Sequence, residues 1–237
     1  MNAIISIAAV AGILLLSGIA LGRVDNRYFK SRWLLFAVGL VVAEDALLTN
    51  AYGLLPTVIA GSWNWQGKGL ALIALLAIAA HRQLGWERVG LTCRQRAGSL
   101  LACLPVVAAY LLFFFAVALA MPNETVGGED IAFQLTMPGL EEELFYRGVL
   151  LFALNEAFSR RWRFLGVEWG WGALLSSILF GLAHAFSVGG DGVTFDPIVF
   201  GLTAVPSLLG IWLRERSGSL VLPVLVHNAG NTLPMLW

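Results

Sequence analysis

Glu142, Glu143, Arg147, His184, His227 and Asn231 are the residues of this chain whose types and spacing offer chemistry. The first three fall in Thr136-Met137-Pro138-Gly139-Leu140-Glu141-Glu142-Glu143-Leu144-Phe145-Tyr146-Arg147-Gly148, an otherwise apolar neighbourhood. At about 100° per residue on a helix, Glu143 and Arg147 share a face and can neutralise each other. Glu142 points elsewhere and has no obvious local partner, which makes it the candidate general base. Pro138 suits the first helical turn after a Thr136 cap, and places the three acids near the N-terminal end. Glu141 is equally well explained as a surface acid. His184 closes Phe180-Gly181-Leu182-Ala183-His184. His227 and Asn231, four apart, put an imidazole and an amide on one helical face. A bland reading exists for each: an interfacial histidine, an interhelical polar pair, a structural clamp. His81 reads as a headgroup-level residue.

These side chains matter because of what surrounds them. The 237-residue chain is 58% apolar and 13% charged, with fifteen basic and fifteen acidic residues. A disordered chain is excluded by that much apolar surface. Nucleic-acid binding lacks the necessary basic excess. A water-soluble globule of this size has too few interior positions for so many Leu, Ala, Val, Ile and Phe. Inside a bilayer an ionisable side chain costs about 2.5–3.5 kcal/mol on insertion scales, so buried ones mark function by default.

A helix crossing about 30 Å of hydrocarbon needs about 20 mostly apolar residues. Eight stretches qualify as candidates: 2–22, 33–54, 66–81, 98–121, 136–157, 171–187, 196–213 and 219–236. The expected fold is all-α: one polytopic membrane domain over 1–237, with about eight transmembrane helices and a membrane-embedded cavity. The first stretch lacks the basic flank of a signal peptide and is read as a span. Alternate loops carry Arg23, Arg27, Lys30 and Arg32; Arg82, Arg88, Arg94 and Arg96; Arg160, Arg161 and Arg163; and Arg214 and Arg216. Thirteen of the fifteen basic residues thus lie on one side, expected to be cytoplasmic, with both termini outside. The other side has Lys68 and the acids Glu124, Glu129, Asp130, Asp191 and Asp196. Nine tryptophans, at 33, 63, 65, 86, 162, 169, 171, 212 and 237, fall near span ends as an aromatic belt would. In this topology Glu142, His184, His227 and Asn231 share one half of the membrane, opposite the basic loops. Glu44 and Asp45 fall within the second span without an assigned role. Cys93 and Cys103 form neither a metal motif nor a disulfide framework. Gly189-Gly190-Asp191-Gly192 reads as a turn in an outer loop.

Glu142-Glu143-Leu144-Phe145-Tyr146-Arg147, Phe180-Gly181-Leu182-Ala183-His184 and His227-Asn228-Ala229-Gly230-Asn231 resemble the EExxxR, FxxxH and HxxxN/D motifs of the CPBP family. These are the CAAX-processing and bacteriocin-processing (Abi) intramembrane proteases. The resemblance covers 98–237. It implies a glutamic endopeptidase in which Glu142 and His184 activate a water and His227 and Asn231 stabilise the oxyanion. Glu143, Arg147 and Phe180 support them. The implied partners are the bilayer and a membrane-anchored protein or peptide, such as a CAAX-like tail, a leader or a C-terminal sorting anchor. The implied setting is a bacterial or archaeal plasma membrane. No cofactor is expected; zinc on Glu142, His184 and His227 is the second choice, since there is no HExxH. No GxSxG elbow points to a serine hydrolase. In the prenyl-protein branch the site opens to the cytosol, whereas the charge rule here places it outside. The rival functions are a non-catalytic membrane scaffold or immunity protein, and an ion-coupled transporter. The transporter lacks support from any inverted repeat.

Overall fold

The computed structural model describes residues 2–120, 126–190 and 192–236. Glu124, Asp191 and Trp237, counted above among the outer acids and the aromatic belt, lie outside them. The chain is mostly helical. Among the described residues three helices are long and apolar enough to cross a membrane: α1 Asn2–Val24, α4 Ser99–Ala120 and α9 Pro197–Ser217. At about 1.5 Å per residue each reaches about 30 Å. Pro105 and Pro206 sit inside the last two, as apolar membrane helices tolerate. Leu100, Leu101, Leu104, Leu112, Phe113 and Leu119 of α4 are exposed, a face suited to lipid.

The other five expected spans are shorter or interrupted. The second ends at Leu48 in α2 Ser31–Leu48, where a left-handed turn through Asn50, Ala51 and Tyr52 stops the helix. Asp45 belongs to that ending. Its backbone carbonyl accepts from Thr49 Oγ1 at 2.8 Å, and its carboxylate accepts from the Tyr52 hydroxyl at 2.9 Å. Glu44 is buried. The third and sixth spans are α3 Trp65–Ala80 and α8 Trp171–Ala185, of 16 and 15 residues. The eighth is α10 Val221–Thr232 followed by a short 3-10 turn. The fifth is contiguous but not uniform: α6 Met137–Glu142, a π-helix Glu143–Leu150, then α7 Leu151–Ala157. A short α5 Gly128–Gln134 precedes it.

Two antiparallel hairpins join the helices, where the reading had only loops. In the first, β1 Trp162–Phe164 pairs with β2 Val167–Trp169. Leu165 and Gly166 both have positive φ, the two-residue turn whose twist suits a tight hairpin. In the second, β3 Phe186–Gly189 pairs with β4 Gly192–Phe195; the turn expected at the glycine run includes Asp191, which lies outside the described residues.

Contacts divide the chain into two compact units, each assembled from separate stretches of sequence. The first comprises Met1–Pro56 and Val149–Leu208, the second Thr57–Gly148 and Leu209–Trp237. Within the first, α1 packs on α2, and α7 on both α2 and α8. Gly18 lets α1 approach α2, and Gly22 leaves room for the Phe29 ring just before α2. A Cβ on Gly18 would lie 2.6 Å from Leu34 Cδ1, and one on Gly22 would lie 2.6 Å from the Phe29 ring. This is the small-xxx-small packing of membrane helices. Within the second unit, α10 packs against α4, α5 and α6, and α3 against α6. Its apolar centre is Cys103, Tyr110, Leu213 and Val226, flanked by Phe114, Trp212 and Leu222. Both cysteines are free thiols.

Candidate active site

The start of α6 determines where the three glutamates point. The first turn of any helix leaves backbone N–H groups without intrahelical partners. Thr136 does not cap this one, contrary to expectation: its hydroxyl turns back to donate to Ala132 O at 2.7 Å. The cap comes instead from α10. Asn228 Oδ1 accepts the Gly139 N–H at 2.7 Å, and Asn228 Nδ2 donates to Thr136 O at 3.3 Å. Gly139 is required there, since a Cβ would meet the Asn228 side chain and lie 2.9 Å from the Val224 carbonyl oxygen. This cross-helix cap ties α6 to the helix that carries His227 and Asn231.

Beyond the cap the charges meet. Lys68 Nζ, from α3, lies 2.6 Å from Glu141 Oε2 and 2.6 Å from Glu142 Oε1. Glu143 Oε1 lies 3.0 Å from Arg147 Nη1 and 2.6 Å from His227 Nδ1. His227 Nε2 is 3.7 Å from Glu142 Oε2. Glu141 is fully buried, and the Glu143 and Arg147 side chains are 2% and 3% exposed. An ion pair this deep is neutralised by its partners rather than by water. Glu142, read from sequence as the acid without a local partner, therefore has one 74 residues away in Lys68. Arg147 fits because Gly210 has no side chain; a Cβ there would stand 3.3 Å from the guanidinium Nε.

Proton positions follow from the partners. A carboxylate ion-paired to Arg147 can only accept, so His227 Nδ1 carries a hydrogen and Nε2 donates only when the ring is an imidazolium. Asn231 Nδ2 donates to Gln134 Oε1 at 3.0 Å, leaving its second N–H for another acceptor.

Phe180 and His184 belong to the other unit, on the last turns of α8. His184 Nδ1 lies 2.8 Å from Phe180 O, and the two rings are 4.6 Å apart. A carbonyl only accepts, so Nδ1 holds the hydrogen and the neutral ring presents its Nε2 lone pair. Glu142, Glu143, Arg147, His227 and Asn231 all lie in the second unit. His81 ends α3 at an exposed position.

As a zinc site these residues fit poorly. Among the described residues no three His, Cys, Asp or Glu side chains are grouped to hold a metal ion. Glu142 is engaged by an ammonium and His227 Nδ1 by a carboxylate.

Sequence reading missed Lys68, Asn228 and Gln134. Lys68 carried one signal, as the lone basic residue on the acidic side. Asn228 sits inside the quoted 227–231 motif but has no assigned role in it.

Residues 130–233 match the family model described as type II CAAX prenyl endopeptidase Rce1-like. The chain carries an Rce1-like domain. That domain runs from α5 to just past α10 and contains all three motifs, though it starts later than the 98–237 of the motif resemblance. Helices α1 to α4, and with them Lys68, precede it. No curated protein and no solved structure gives a match to the chain. The long apolar helices and the Rce1-like domain together describe an integral membrane protein.

Proposed function

We propose that this protein is an intramembrane endopeptidase that cuts a membrane-associated protein or peptide at a CAAX-like tail, a leader or a C-terminal sorting anchor. Glu142 takes a proton from water as the water oxygen bonds to the scissile carbonyl carbon. His184 enters this reading by the resemblance of its motif alone, which implies a second activating group. The carbonyl oxygen becomes an oxyanion that accepts from the His227 imidazolium Nε2–H and the second Asn231 N–H. The C–N bond then breaks, and the proton held by Glu142 passes to the leaving amine. Fixed donors facing developing charge in a poorly solvated site give the largest catalytic term. Glu143 and Arg147 hold His227, and Phe180 holds His184. About eight membrane segments, some shorter than the bilayer, place both termini outside the plasma membrane of a bacterium or archaeon.

One observation carries the reading: within a segment matching a protease family, Glu142, Glu143, Arg147 and His227 form a single, largely buried ionisable cluster. The test compares membrane proteomes of cells holding no copy, the wild type, or Glu142→Ala at equal level. New protein termini present only with the wild type support it. Termini that persist with Glu142→Ala sink the enzyme reading and leave the scaffold.

A further inference from the structure

The charge that holds Glu142 comes from outside the Rce1-like domain. Lys68 lies on the first turn of α3, whose residues are anchored by one backbone cap and by side-chain bonds to neighbouring segments. Asn64 Oδ1 accepts the Gly67 N–H at 3.0 Å, a side-chain helix cap. Gln66 Oε1 accepts the N–H groups of Val58 at 2.6 Å and Ile59 at 3.1 Å. Trp65 Nε1 donates to Glu129 Oε1 at 3.0 Å, and its ring meets Phe133 edge-on. Lysine is normally a flexible stem with a hydrated head. Here the stem starts from an anchored turn, the side chain is 12% exposed, and two carboxylate oxygens receive its ammonium at equal distance.

We infer that Lys68 is the positioning residue for Glu142, a role that rests on the proposed function. The ammonium takes Oε1, which turns Oε2 toward His227. A general base must stand within hydrogen-bond reach of the proton it removes, and a carboxylate repelled by Glu141 and Glu143 does not hold that place unaided. Glu141 is the second handle on the same ammonium and keeps it from following Glu142 alone. Lys68 touches no reacting atom.

The simpler alternative is that Lys68 only neutralises buried Glu141. Full-length purified protein in detergent separates the two, using a farnesylated CAAX-type peptide as the turnover probe. Positioning predicts that Lys68→Met loses about 100-fold in kcat, the lower end of a general base's contribution, with KM little changed. Lys68→Arg recovers part of the loss. Lys68→Met with Glu141→Gln, which restores the charge balance and so guards against misfolding, stays slow. Recovery in that double variant, or a kcat for Lys68→Met within a few-fold of wild type, overturns the inference. A second readout needs no turnover: the Glu142 carboxylate infrared band, identified by its loss in Glu142→Gln. It shifts in Lys68→Met and returns toward its place in Lys68→Arg; an unmoved band overturns the inference even where the peptide is not cut. Wild-type turnover by Glu142→Gln would instead overturn the proposed function, with the band still deciding whether Lys68 holds Glu142.

Discussion

Glu143 holds His227 through Nδ1 at 2.6 Å, on the same carboxylate oxygen that faces Arg147 at 3.0 Å. A carboxylate behind an imidazole fixes its tautomer and orientation. The i, i+4 pair visible in the sequence thus has a third member on another helix.

Breaking that trio from one side has a measurable cost. Glu143→Gln leaves Arg147 buried without its counter-charge, and loses about 3–5 kcal/mol of stability. Glu143→Leu with Arg147→Met removes both charges and regains most of that stability, yet stays inactive because His227 is no longer oriented. Chemical denaturation in detergent, run beside turnover, separates the two effects.

The cross-helix cap makes a different prediction. Gly139→Ala drives a methyl against the Val224 carbonyl, a backbone atom with no room to yield. The expected loss is about 1–3 kcal/mol, as for other overpacked sites. Asn228→Leu removes only the cap, for about 1 kcal/mol. If Gly139→Ala melts with the wild type, the cap does not anchor α6.

Asp130 gives an acid-side prediction outside the spans. The Trp63 indole N–H, at 2.6 Å, and the Gly127 N–H, at 2.7 Å, hold its carboxyl below the usual 3.8. A group lowered in the folded state contributes stability above its ordinary value, and that contribution fades as pH falls through the lowered one. Trp63, stacked on Phe133, reports the event. Its fluorescence is expected to change below pH 3.8, and Asp130→Asn to abolish that acid step while Trp63→Phe removes the signal.

The topology is testable with the protein's own thiol. Cys93 is exposed in a basic loop, and Val126→Cys adds a site on the acidic side. Membrane-impermeant maleimide on intact cells is expected to label position 126 and spare Cys93. The reverse pattern would turn the molecule over and put the substrate in the cytosol.

What the sequence showed and hid follows from the range of each interaction. Glu143 and Arg147 are four apart, so spacing alone pairs them. Lys68 and Glu142 are 74 apart, and hydropathy sees Lys68 only as a charge interrupting an apolar run. Thr136 was a sound local cap, but Asn228 arrives from α10 with a better-placed oxygen. The second span reads as running to 54 because apolar composition continues past Leu48, where a turn ends the helix. The Leu165-Gly166 hairpin lacks the usual Asn-Gly signature, since a leucine there adopts positive φ.

The π-helix between Glu143 and Leu150 stores a length rather than a composition. Its wider i→i+5 winding accommodates more chain per turn than the α-helices on either side. Removing one residue within it lets the segment rewind as α-helix, and the tighter winding of the seven that remain takes up most of the deletion. A deletion in a plain α-helix has no such slack and swings every later side chain by about 100°. In a library of one-residue deletions along 137–157, loss of fold is expected to be least within the π-helical stretch.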